Sequence, residues 1–335
     1  MALKFIEGFD AYGQTDGITP SGLAYKWNPA FTPDSGWTVQ PGRVQGKSLR
    51  MTGARYISSQ SLGHLSTITV GFAFKRSTIG DNGRIVSLFE GTNEGINVRA
   101  VAGTGEFAVY FGNSLLDTTD GDGVMANEWV YLELNVTVHN STGSYELRLH
   151  GQTVLSDTNV DTQPASNAWA DIVRLQSVGT ASETFYFDDF YVRDDSTFHG
   201  NVKVTTKFPT ADSAVECTPS TGGDNYAMTD DNPSDDDSTY VSGGDGDSDV
   251  YEFGGFDPGS MTEVYGVMVN TICRETDVSP FNIKQLANSG ESAADAIGST
   301  SYVHRGAVFP TNPDTTDPWT PAEIAASTFG FGIET

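Results

Sequence analysis

Positive charge is what this chain has least of. Its 335 residues hold 18 Lys and Arg against 44 Asp and Glu, a formal net charge of −26. Phosphate binding needs clustered cations, so the deficit argues against a nucleic-acid partner and against an anionic membrane surface. It suits a solvated, self-repelling exterior. Cysteine is nearly absent as well. Cys217 and Cys273 are too few for a disulfide scaffold, and the expectation is two free buried thiols. No apolar run approaches the length of a membrane span, so no membrane insertion is expected. The opening MALKFIEGFD lacks the apolar core and cleavage site of a signal peptide, so the chain is expected to stay, or be assembled, where it is made. Strong helix formers and leucine-rich amphipathic stretches are scarce too.

Gly, Ser, Thr, Asp and aromatic residues fill the space, a composition of short strands joined by turns. FIEGFDAYG opens a series of strands continued by 66–76, 84–91 and 106–116. The clearest is WVYLELNVTV (129–138), where Val130, Leu132, Leu134, Val136 and Val138 alternate with Trp129, Tyr131, Glu133, Asn135 and Thr137. Period two with β-branched residues predicts a half-buried strand. HNSTG then supplies a turn and SYELRLHG returns, which predicts a hairpin. TFYFDDFYVRDD (184–195) reads as the last strand of a domain spanning 1–196, beside the opening strand. DDSTFHGN (194–201) has the composition of a linker. A second β-rich domain, 197–335, is expected to begin its strands at VKVTTKFP. It carries an acidic loop, 224–249, with nine Asp, and no Lys or Arg occurs from Phe208 through Cys273. One helix is predicted near the end, with Thr320 as N-cap, Pro321 in the first turn and Glu323 completing a capping box. The expected fold class is all-β.

Two long stretches carry a resemblance. NEWVYLELNVTVHNSTGSYELRLHGQTVLSDTNVDT (127–162), set between FIEGFD and FYFDDFYV, resembles the laminin-G-like, concanavalin A-like jelly-roll domains of bacteriophage virion proteins. Those domains share a W-y-x-E strand, a strand ending in "nG" (here His150-Gly151) and a closing DDfyv strand. The second half is similar to a segment that often follows such domains in phage proteins, on GNVKVTTKFPTADSA, CTPSTGGDNYAMTDD, DSTYVS and DPWTPAEIAASTFGFGIE. The resemblance implies a non-enzymatic virion structural protein of two β-rich domains, assembled in host cytoplasm. Its partners would be other virion proteins and copies of itself. A tail appendage or adhesion module contacting host surface glycan is favoured over a head decoration or head-fibre protein bound to the capsid. A secreted lectin or glucanase is the distant alternative.

Glycoside hydrolysis needs two carboxylates facing one sugar, and enzymes of this fold place them as E-x-D-x-E on one strand. The nearest approach, Glu275-Thr-Asp277-Val-Ser279, lacks its last acid. Asp188 and Asp189 are adjacent, and in a regular strand they point to opposite faces unless a bulge intervenes. The expected role of this pair is structural, a buried hydrogen-bond network with Arg174 or Arg193 as partner. For metal, LLDTTDGDG offers Asp117, Asp120 and Asp122 as oxygen ligands of the kind calcium takes, and 245–249 is a weaker second loop. No other cofactor is expected. Trp129 and Tyr131 share the non-aliphatic face of their strand and are the candidate carbohydrate platform.

Overall fold

Period-two placement of apolar residues is what sets the strands into two facing sheets. In the computed structural model of the chain, residues 2–30, 32–121, 123–178, 183–276 and 281–334 are described. The protein is all-β, with two short α-helices among those residues. It divides into a first unit, Met1–Thr205, and a second, Thr206–Thr335.

The first unit is an antiparallel jelly-roll sandwich. Its first sheet runs Gln152–Val160, Gly143–Leu149, Val130–Thr137, Thr67–Arg76, Thr184–Arg193, Lys47–Thr52, Trp37–Pro41, and Leu3–Glu7 also pairs with Thr184–Arg193. The second runs Ser114–Thr118, Phe107–Phe111, Asn93–Ala100, Gly83–Glu90, Ile172–Gln176, Tyr56–Ser58, Asn28–Pro29. Phe72 lies opposite Leu132, and Phe74 opposite Phe187 and Val130, so these side chains share the inner face. Phe74 meets Phe107 of the second sheet edge-on, ring centroids 6.3 Å apart. Truncating one such core ring to Ala costs about 3–5 kcal/mol.

The predicted hairpin is present, with Val136 opposite Tyr145. His150 holds the left-handed turn position (φ 50) that Asn favours in short hairpin turns. The strand Val130–Thr137, however, is not half-buried. Tyr131 and Glu133 on its outer face are as buried as Leu132 and Leu134. The reason is the segment expected to be a linker. His199 and Gly200 donate their N–H groups to Glu133 Oε1 (2.9 and 2.8 Å), and Asn135 Nδ2 donates to the Asp195 carbonyl (3.4 Å). Residues 194–204 are thus a strap across the first sheet, and the division between units falls after Thr205 rather than at 196.

In the second unit the first strand is Ala211–Val215; the stretch 202–209, expected to start the second set of strands, contains none. A sheet ordered Ala211–Val215, Ser248–Glu252, Thr328–Glu334, Phe281–Ala287, Gly290–Glu291 is joined by Asp295–Ile297. Val267–Cys273 pairs with Val303–Phe309 as a separate ribbon. The helix Pro321–Ala326 begins as predicted, with both arms of the Thr320/Glu323 capping box formed. It helps cover a core of Ala287, Phe309, Trp319, Ile324 and Phe329. Both cysteines are free, Cys217 buried and Cys273 half-buried.

Candidate functional site

The bulge in Thr184–Arg193 organises one end of the first sheet. Against Thr67–Arg76, Asp188 lies opposite Ala73 and Tyr191 opposite Gly71, so the closing strand holds one residue more than its partner. Asp189 is that residue and takes the left-handed conformation, φ 52, which Asp tolerates better than most side chains. The two carboxylates therefore do not diverge; they converge on one loop. The Arg43 backbone N–H donates to Asp188 Oδ2 (2.7 Å), and the Arg43 side chain pairs with Asp189 Oδ2 (2.8 Å). Val204 N–H donates to Asp189 Oδ1, and Asp189 N–H to Asp188 Oδ1, each at 2.8 Å. Arg43 also donates to Asn201 and to the Val202 carbonyl, fastening the strap. A Cβ on Gly42 would lie 2.9 Å from Asp188 Oδ2, so glycine is what lets the loop reach the carboxylate.

This corrects the expected partners. Arg193 pairs with Asp195, and Arg174 lies in the other sheet. Burial, followed by the adjacent Asp189 charge, pushes the Asp188 carboxyl up to about 8, against the pull of the Arg43 and Asp189 N–H groups. Burial raises Asp189 too, with Val204 N–H and Arg43 opposing. Both are 2% exposed. Carboxylates sealed under a strap and bonded to backbone N–H groups act as a structural latch. They offer a sugar no access.

The expected carbohydrate platform comes apart. Tyr131 is fully buried, donates its hydroxyl to the Asp189 carbonyl (3.0 Å) and has the Arg43 guanidinium 5.3 Å from its ring centroid. It presents no ring to solvent. Trp129 lies just outside its strand and is half-buried. Lys75 sits between it and Tyr186, its ammonium 4.7 and 4.2 Å from the two ring centroids. Burial lowers the Lys75 pKa.

For the acidic loops, Asp117 and Asp120 are exposed, Asp117 Oδ1 already accepts the Thr118 N–H (2.8 Å), and Asp122 lies outside the described residues. Asp249 is fully buried and accepts from Glu216 N–H, Cys217 N–H, Asn225 Nδ2 and the Tyr251 hydroxyl. Its oxygens serve the fold. Among the described residues no three His, Cys, Asp or Glu side chains gather as metal ligands. Of the incomplete acidic pentad, Asp277 and Ser279 also lie outside the described residues.

The outer face of the second sheet holds a set of residues that no local motif marks in the sequence. Registers align Ser58, Arg174, Ser87, Asn97 and Tyr110 across five strands, with Arg84 opposite Arg99 one step along. Arg99 stacks on Tyr110, its guanidinium carbon 3.8 Å from the centroid. Arg174 lies between Tyr56 and Phe89, 4.0 Å from each. Arg174 Nε donates to Ser58 Oγ (3.0 Å), and Arg84 Nε is 3.1 Å from Glu94 Oε1. Burial lowers Arg99 and Arg174 below their ordinary range, and the Arg84 charge adds to the effect on Arg99. The three arginines are half-buried, with their stems packed and their heads reaching the surface. The signal was present in RIVS, NVRA and IVRLQ, where each arginine takes an outward position in an apolar strand.

No known protein family matches the chain, and no curated protein matches it. Solved structures do resemble part of it. Alginate lyase Aly36B superposes with a TM-score of 0.44 at 12% identity, over 58% of this chain and 98% of that one. An endo-β-1,4-glucuronan lyase from Trichoderma reesei gives 0.40 at 15%, over 53% and 93%. A carbohydrate esterase from the Shiga toxin-encoding bacteriophage phi24B gives 0.37 at 15%, over 56% and 98%. Superpositions this loose add nothing to what the two sheets themselves show.

Proposed function

We propose that the chain is a non-enzymatic structural protein of a bacteriophage particle, a tail appendage or adhesion module whose jelly roll contacts host surface glycan. The order of sequence segments across both halves supports the virion assignment. The observation that carries the glycan contact is the outer face of the second sheet. There Arg99 with Tyr110, and Arg174 with Tyr56, are half-buried with their heads at the surface, hydrogen-bonding and aromatic groups of the kind that orient a saccharide without cleaving it. Against catalysis stands the geometry of the adjacent aspartates, which bind Arg43 and the strap. Immunogold labelling of purified particles tests the placement. Label on the tail supports this reading, label on the head supports a decoration or head-fibre protein, and unlabelled particles overturn both. Release of reducing sugar from bacterial surface polysaccharide would overturn the non-enzymatic assignment.

A further inference from the structure

We propose that the outer face of the second sheet selects an anionic saccharide, one bearing carboxylate or sulfate groups, and receives those groups at Arg84, Arg99 and Arg174. This rests on the glycan-contact reading and names the class of glycan.

Arg84 and Arg99 face each other across neighbouring strands, a like-charge pair that destabilises a sheet when nothing lies between. Asn113 Oδ1 bridges them, accepting from Arg84 Nη2 (2.7 Å) and Arg99 Nη2 (3.1 Å), but it brings no charge. Glu94 compensates in part, and its Oε1 also accepts the Ser87 hydroxyl (2.7 Å). Three guanidinium groups against one bonded carboxylate is a local excess of positive charge in a chain of net −26.

The donors on this face are also spare. Among the described residues Arg174 uses only Nε as a hydrogen-bond donor, and Nη1 of Arg99 and of Arg84 make no hydrogen bond. The rings of Tyr110, Tyr56 and Phe89 hold two of the guanidinium planes in place. A guanidinium fixed by stacking presents its remaining N–H groups as a planar fork, which matches a carboxylate or sulfate in shape and sign. A hydroxyl can accept one such bond but leaves the charge uncompensated. Arg174 and Arg99 stand two strands apart, about 10 Å at ~4.8 Å per strand. A saccharide with charge repeated along its length spans that gap where a single anion cannot.

Titration calorimetry of the full chain decides the matter, using a polyuronate tetrasaccharide, a sulfated tetrasaccharide, neutral cellotetraose and a short oligothymidylate. The expected result is binding of at least one acidic saccharide, weakened by salt, and no binding of cellotetraose. Arg174→Gln and Arg99→Gln, on different strands, each reduce that affinity about tenfold or more. Melting curves identify any variant that misfolds, and the other then carries the test. Equal or exclusive binding of cellotetraose overturns the anionic selection and leaves the glycan-contact reading standing. Acidic binding that survives in folded variants overturns the site, and tighter oligothymidylate binding overturns the ligand class. Binding of no saccharide overturns both readings.

Discussion

Replacing Arg43 by methionine removes the cation that lies against Asp189 while keeping much of the side chain's bulk. Asp189 then retains one donor, Val204 N–H at 2.8 Å. The strap loses its ties to Asn201 and Val202 in the same step. Breaking a buried pair by deleting one partner costs about 3–5 kcal/mol, because the remaining charge has no compensation. The carboxyl can escape by taking up a proton, and burial already pushes it that way. The loss is therefore about 3–5 kcal/mol where the carboxyl stays ionised, and it shrinks as falling pH protonates the group, toward the about 2 kcal/mol of the hydrogen bonds alone. For a unit of this size that corresponds to roughly 6–20 °C in melting temperature at the higher pH.

Urea unfolding of the full chain measures it, with hydrogen exchange of residues 184–193 reporting the first unit. Arg43→Met combined with Asp189→Asn provides the second arm. Asn tolerates the left-handed conformation at φ 52 and carries no charge to orphan, so at pH 8 the double variant recovers the part of the loss that exceeds the about 2 kcal/mol of the missing hydrogen bonds. If Arg43→Met unfolds within about 1 kcal/mol of the parent at pH 8, a cost no larger than an ordinary surface pair's, the latch is refuted. A double variant no more stable than the single one refutes the charge argument on its own.

The Asp188 carboxyl gives a second, independent pH signature. Its folded value of about 8 lies above the ordinary carboxylate range, so the fold holds a proton that the unfolded chain has released. This group's contribution is fully present below about pH 4 and is lost as pH rises to about 8, at no more than ~1.4 kcal/mol per pH unit; Asp188→Asn flattens that slope in urea midpoints. Arg76 and Glu183 form a bidentate pair with side chains 0% and 1% exposed, so Arg76→Met costs about 3–5 kcal/mol in unfolding free energy, and a negligible loss would show the pair to be dispensable. Calcium titration is expected to give no heat. Heat abolished by Asp117→Asn or Asp120→Asn would restore the calcium loop.

The sequence carried the elements better than their neighbours. Alternation in WVYLELNVTV and SYELRLHG made that hairpin legible, and Thr320, Pro321 and Glu323 made the helix start legible, because both signals are local. The arginine face was not, although each arginine sits at an outward position of a strand. Ile172–Gln176 lies far along the chain from Gly83–Glu90 and Asn93–Ala100, and only the sheet order brings Arg174 beside them. Tyr131 failed for a related reason. Strand periodicity assigns a face but cannot say whether another segment covers it, and the polar composition of DDSTFHGN concealed a strap that binds through backbone N–H groups.

TFYFDDFYVRDD is the instructive case, since its bulge was written in its own spacing. Phe185 and Phe187 point inward at period two, and so do Phe190 and Val192. The step from Phe187 to Phe190 is three. A strand whose inward residues jump by three must hold one extra residue, and of the two candidates in between, an Asp can accept the left-handed conformation that such a residue adopts. The same extra residue turns adjacent carboxylates from opposite faces onto one loop, the geometry an acid–base pair would need. What separates a latch from an active site here is Arg43 with the strap laid over it, a contact between the closing strand and a loop from near the start of the chain that no local reading of the twelve residues contains.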